Sequence, residues 1–208
     1  MKLKKKVKRR LIILIMLLLV AVGGFLAYKY LYNKNDTKEV KVVDNIKKYG
    51  YTLKETKPEK YKKMFAELKE ILNQDKVDEE AYAKQISKMF IYDFYSLNDK
   101  AAKTDIGGVD FVYSETLENF LENAQNTYYK YVESNIYENR KQKLPVVSNI
   151  EVKSIEQKTF TYNDKTDEKA YYVEVEWSYS DESYSDYQTT ATLIFIHDDI
   201  KLCLVELD

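Results

Sequence analysis

The chain has 208 residues and a net charge of −1, but the charge is unevenly spread. Seven of the 33 basic residues precede residue 11, no acid occurs before Asp36, and the remainder carries 26 bases against 34 acids. That balance does not suit phosphate backbones, so nucleic acid is not an expected partner. Cys203 is the only cysteine, which rules out an intramolecular disulfide and any cysteine-cluster metal site. Stability must then come from a core, for which 20 Tyr, 8 Phe and 1 Trp supply large apolar areas.

Residues 1–10 read as a basic cytoplasmic tail, with Lys4, Lys5, Lys6, Lys8, Arg9 and Arg10 as a topology signal. The uncharged run Leu11–Tyr28 spans roughly 27 Å as a helix, against a hydrocarbon core of about 30 Å. Tyr28, Tyr30 and Tyr32 follow at the place of an interfacial belt, so residues 11–32 are expected to form a transmembrane helix. The positive-inside rule then keeps the N-terminus in the cytoplasm and exports the rest, as in a single-pass cell-membrane protein. A cleaved signal peptide is the competing reading; the run exceeds a usual signal core, and only Ala21-Val22-Gly23 approximates a cleavage site.

Residues 33–57 are polar with isolated apolar spots and read as a stalk, leaving 58–208 as the extracytoplasmic domain. Tyr61, Met64, Phe65, Leu68, Ile71 and Leu72 recur at three- and four-residue steps, which predicts a first helix starting near Pro58. Asp78 is the expected N-cap of a second helix reaching Leu97. A third helix is expected from Ser114 to Glu138, striped by Leu117, Phe120, Leu121, Ala124, Tyr128, Tyr131, Val132 and Ile136. After Pro145 the period changes to two. Tyr171, Val173, Val175, Trp177 and Tyr179 alternate with polar residues, and Tyr187–His197 and Ile200–Leu207 read as further strands. One or two strands are expected within Val146–Tyr162, with Asn163-Asp164-Lys165 as a turn. The class is α+β: an N-terminal transmembrane helix, then three helices packed on a curved antiparallel sheet of about four strands.

This element order, from about Pro58 to Leu207, resembles the nuclear transport factor 2-like fold, also called cystatin-like. The layout of tail, anchor and exported domain is similar to the bitopic scaffold proteins of type IV secretion and conjugation machines. That resemblance implies an exported domain that makes assembly contacts and has no catalytic role. Other members of the same fold are enzymes or ligand binders built around a conical cavity, and fold alone does not choose among these. No functional residue is carried over.

The most unusual stretch runs from Tyr92-Asp93-Phe94-Tyr95 to Thr104-Asp105-Ile106-Gly107-Gly108. Adjacent glycines imply special backbone angles or close approach. A loop at a cavity mouth would let Tyr92, Asp93, Tyr95 and Asp105 meet a ligand or partner; the plain alternative is a helix–strand turn with solvated acids. Trp177 is a core residue or a partner anchor. His197 is the only histidine and needs a carboxylate to orient it before it can act as a base. Cys203 reads as a small buried apolar residue. The acidic, tyrosine-rich run Ser178–Tyr187 reads as a solvated hairpin loop that also suits adaptable contacts. No catalytic residues, cofactor or metal site are expected, and no Walker loop, Rossmann glycine pattern, nucleophile elbow or zinc-protease motif occurs.

The expectation is a non-enzymatic, membrane-anchored interaction or scaffold domain of a bacterial envelope or transfer complex, its partners being the bilayer and other envelope proteins or a second copy. The alternative is an extracytoplasmic ligand-binding or sensing domain with a pocket between helices and sheet. An enzyme would need an acid–base pair, such as His197 with Asp93, in one cavity.

Overall fold

The computed structural model describes residues 22–24 and 41–208 of the chain. Between 41 and 208 the order is a hairpin, three helices and four strands. Strands β1 (Val42–Ile46) and β2 (Tyr51–Lys54) pair antiparallel across a 3-10 turn at Lys47–Tyr49. The turn closes at Gly50, whose φ of 70° lies in the left-handed region. Helices α1 (Glu59–Leu72), α2 (Glu79–Tyr95) and α3 (Leu117–Asn126) follow, with a second 3-10 turn at Val109–Phe111 before α3. Strands β3 (Val147–Tyr162), β4 (Lys165–Tyr179), β5 (Thr190–Asp198) and β6 (Lys201–Leu207) form an antiparallel meander in sequential order.

Local chemistry accounts for most of these boundaries. The Asp78 carboxylate accepts a hydrogen bond from the Ala81 N–H at 3.0 Å, satisfying one of the free donors at the start of α2. The β3–β4 turn places Asn163 at a φ of 49°, and the β5–β6 turn places Asp199 at 55°. Both are short polar side chains that tolerate left-handed backbone. The odd positions of β4, Tyr171, Val173, Val175 and Trp177, are buried, whereas Glu174 and Glu176 are exposed.

Helix α2 is the centre of the core. It is buried nearly all round, with Tyr82, Ile86, Met89, Phe90 and Tyr95 each at 1% exposure or less. Strand β5 is also covered on both faces. Leu193 and Phe195 join the main core, while Ile196 joins Tyr113, Ala170 and Cys203 in a small cluster. This is why α2 lacks the one-sided stripe of a surface helix.

The architecture corrects the expected one at several points. Among the described residues no helix is long and apolar enough to cross a membrane. The longest element of the 41–208 unit, α2, has 17 residues and carries Glu79, Glu80, Lys84, Lys88 and Asp93. The transmembrane helix expected over 11–32 lies, apart from 22–24, outside the described residues, as do the tail with Lys4, Lys5, Lys6, Lys8, Arg9 and Arg10 and residues 33–40. Among the described residues there are two sheets rather than one, because part of the expected stalk is the β1–β2 hairpin. Its Ile46, Tyr49, Tyr51 and Leu53 are all in the core, and Tyr51 shares a 2.6 Å hydroxyl hydrogen bond with Tyr82 of α2. The folded unit therefore starts at Lys41, before the expected 58.

Helix α3 ends at Asn126, twelve residues short of the expected Glu138. Thr127 leaves helical geometry at φ −118°, ψ −91°. The chain beyond it is held by side-chain hydrogen bonds from Arg140 and Gln142 to backbone groups instead of by a helix. The 3-10 turn at Val109–Phe111 is followed by one bridge between Val112 and Leu204. Residues 147–162 make one continuous strand, interrupted by three register shifts against β4. Shifts of that kind bend a strand and increase its twist.

Candidate functional site: an aromatic cleft beside a buried ion-pair node

The carboxylate of Asp93, near the end of α2, is buried at 6% exposure, so it does not face a cavity mouth. Oδ1 accepts from Lys57 Nζ at 2.5 Å and from Lys100 Nζ at 3.0 Å, and Oδ2 accepts from the Gly108 N–H at 2.9 Å. Burial opposes ionisation of Asp93, but the Lys100 and Lys57 charges and the Gly108 N–H outweigh it and hold the carboxyl down at about 2. The double glycine belongs to this node. A Cβ on Gly107 would lie 2.0 Å from the Asp93 carbonyl oxygen, and Gly108 sits at a φ of 75° against the Phe90 ring. The Tyr129 hydroxyl accepts from the Gly107 N–H at 3.1 Å and donates to the Phe94 carbonyl at 2.6 Å. Asp105 accepts from the Ala101 N–H at 2.8 Å, bracing the loop. Asp93, Asp105, Gly107 and Gly108 are thus tied together as a loop-to-helix clamp whose polar groups satisfy one another. Tyr92 is buried separately, with Lys60 Nζ 5.3 Å from its ring centre.

A concave surface is lined by the two residues that follow Asp93 on α2. A cleft of about 600 Å³ opens between the end of α2, helix α3 and the sheet. Phe94 and Tyr95 form its floor, Phe120 and Ala124 one wall, and Tyr128 and Leu207 flank them. Its polar rim is Asn123, Thr127 and Gln188, and none of these lining residues is charged. The rings pack on one another: Phe94 to Phe120 at 5.3 Å, and Tyr95 edge-on to Tyr128 at 4.9 Å. Behind the floor, Trp177 lies 4.4 Å from the Tyr95 ring. The Trp177 Nε1–H is buried without a hydrogen-bond partner among the described residues. The Tyr128 and Tyr179 hydroxyls share a 2.9 Å hydrogen bond, and Tyr179 donates to the Gln188 carbonyl at 2.9 Å, which fixes the rim loop to the wall. Burial is the main cause pushing the Tyr95 and Tyr128 phenols well above their ordinary range, so both stay neutral at physiological pH.

Of the residues singled out from the sequence, Tyr95 lines the cleft and Trp177 supports it, while Tyr92, Asp93, Asp105, Gly107 and Gly108 do not line it. Phe120 and Tyr128 were legible only as core stripe positions, Phe94 stood inside the stretch singled out at Tyr92–Tyr95, and Gln188 carried no signal.

His197 is oriented by a carboxylate that sequence reasoning missed. Its Nδ1 and its backbone N–H both lie 2.7 Å from Asp167 Oδ2, across the β4–β5 pair. Its Nε2 lies 3.5 Å from Glu79, at the start of α2. Glu79 and Asp93 are 14 positions apart on α2, roughly 21 Å along its axis, so His197 and Asp93 share no cavity. Cys203 is buried, and burial raises its thiol pKa, leaving it a poor nucleophile.

No protein-family model, curated protein sequence or solved structure matches the chain.

Proposed function

We propose that this protein is a non-catalytic, membrane-held interaction domain of a bacterial envelope or transfer complex, with the aromatic cleft as its recognition surface. The carrying observation is the cleft's chemistry: a floor of Phe94 and Tyr95 with walls of Phe120 and Tyr128, and no charged lining residue. Neutral phenols and phenyl rings offer apolar area and hydrogen-bonding edges, which suits an anchor side chain from a partner. They offer no group that exchanges a proton near neutral pH. Placement at a cell membrane, with the folded unit outside the cytoplasm, is supported by the apolar run Leu11–Tyr28 and the basic cluster before it. The order of three helices followed by a four-strand meander supports the likeness to the nuclear transport factor 2-like fold.

The test is a photo-crosslinking residue in place of Thr127, on the cleft rim, in intact cells. One discrete adduct is expected, lost when Asn123→Trp fills the cleft. Recovery of monomer alone would overturn the reading.

The cleft volume also favours a second reading, a neutral small ligand, because sites for such molecules span about 300–1,000 Å³. That reading expects a melting-temperature rise with apolar aromatic compounds, abolished by Asn123→Trp, and no protein adduct.

A further inference from the structure

We infer that residues 127–143 form a second membrane contact, separate from the apolar run Leu11–Tyr28, which docks on an anionic lipid surface. The inference builds on the membrane placement proposed above. It rests on how the segment uses its polar and apolar groups.

Two polar side chains, Arg140 and Gln142, are engaged by backbone groups. Arg140 donates through Nη1 to the carbonyls of Lys100 at 2.8 Å and Glu133 at 3.2 Å, and through Nη2 to that of Asn98 at 2.7 Å. Gln142 accepts from the Glu133 N–H at 2.9 Å and donates to the Tyr131 carbonyl at 2.8 Å. The Asn135 N–H donates to the Ala101 carbonyl at 2.7 Å. These contacts clamp the segment to the loop after α2, with Tyr129 and Val132 buried beneath it.

Three large apolar side chains point outward. Tyr131, Ile136 and Tyr137 are 75%, 69% and 81% exposed. A segment held by this many hydrogen bonds does not display three large apolar groups within seven residues as a by-product of disorder, and exposed apolar side chains this close in sequence mark a contact surface. The charge around them selects the partner. Lys130, Lys141 and Lys143 are exposed and outnumber the exposed Glu133 and Glu138. Lys130 Nζ sits 5.1 Å from the Tyr131 ring centre, so cation and aromatic are presented together. Lysine is depleted in the centre of protein interfaces, whereas tyrosine flanked by lysine suits the headgroup layer of an acidic bilayer.

The test uses the full chain with a nitrobenzoxadiazole probe on Ile136→Cys; Cys203 is buried and stays unlabelled. The protein is placed in nanodiscs of phosphatidylcholine alone or mixed with phosphatidylglycerol. The expected result is a blue shift and several-fold brightening in the anionic discs only, reversed by added salt and by the combined variant Lys130→Glu, Lys141→Glu, Lys143→Glu. Because all three lysines are exposed, an unchanged melting curve verifies the fold of that variant. Identical emission in both disc types would overturn the inference. So would a shift that appears only when envelope protein is added, which would assign the segment to a protein partner. Cofractionation of the chain with the discs reads the anchoring by Leu11–Tyr28 on its own, so failure of the anchor and failure of this contact are distinguishable.

Discussion

Lys100 and Asp93, seven positions apart, form an ion pair at 3.0 Å in which both side chains are buried, at 3% and 7% exposure. Such a pair adds little over an apolar core, but breaking it is costly, because the remaining charge stays buried without compensation. Asp93→Ala and Lys100→Met are each expected to lose about 3–5 kcal/mol in denaturant unfolding. Lys57→Met should lose less, since that side chain keeps 20% exposure and its partner retains Lys100. Equal losses at Lys57 and Lys100 would contradict this account.

The same pair predicts a stability limit at each end of the pH scale. The folded Asp93 carboxyl is depressed to about 2, so its contribution is complete above the unfolded value near 3.8 and disappears as pH falls through about 2. The linkage amounts to about 2 kcal/mol. For Lys100, burial favours the neutral amine, but Asp93 and Asp99 outweigh it and raise the folded pKa. Its contribution is complete below the ordinary lysine value and is lost as pH rises through the folded one. In urea midpoints measured against pH, Asp93→Asn should flatten the acid limb below pH 4 relative to the parent.

The glycines give a ranking testable by thermal melting. Gly50 has a φ of 70° and open space around its missing Cβ, so Gly50→Ala meets only the backbone penalty of about 1–2 kcal/mol. Gly107→Ala would place a methyl group 2.0 Å from the Asp93 carbonyl oxygen, a collision with rigid backbone. It should cost more than about 4 kcal/mol, in the range reserved for core disruption. A Gly107→Ala protein that melts like Gly50→Ala would show that the clamp can open.

Features carried by neighbouring residues were legible in the sequence. Asp78 announces the start of α2, the alternation from Tyr171 to Trp177 reports a strand with one buried face, and Asn163 marks its turn. The order of three helices and a four-strand meander follows from such signals. The hairpin at 42–54 was hidden because Lys47, Lys48 and Lys54 interrupt a short apolar pattern that becomes clear only when Tyr51 meets Tyr82. The end of α3 was hidden for the opposite reason. Tyr128, Tyr131, Val132 and Ile136 continue the helical spacing past Asn126, although Tyr131 and Ile136 face solvent. The partners of Asp93 and His197 lie up to 118 positions away, and the cleft takes Tyr95 and Phe120 from two helices and Gln188 from a loop. Convergence of that kind is set by tertiary packing and has no local pattern.

Among the described residues, strand β3 runs 16 residues at the edge of the sheet, which leaves one row of its backbone groups open to pairing with another chain. Two features blunt that edge. Three register shifts, near Val147, Val152 and Lys158, break its regularity. Charged side chains line its outer face, with Lys153 bridging Glu151 at 3.4 Å and Glu176 at 3.2 Å, and Lys158 paired with Glu156. Exposed ion pairs like these add little to stability, so their value lies in discouraging a second strand. Replacing both cations, Lys153→Val with Lys158→Val, should leave the melting temperature within a few degrees while producing concentration-dependent association in light scattering. The β-branched side chains add strand propensity to the open edge at the same time as the charge is lost. A double variant that stays monomeric at high concentration would show that the register shifts protect the edge without help from the lysines.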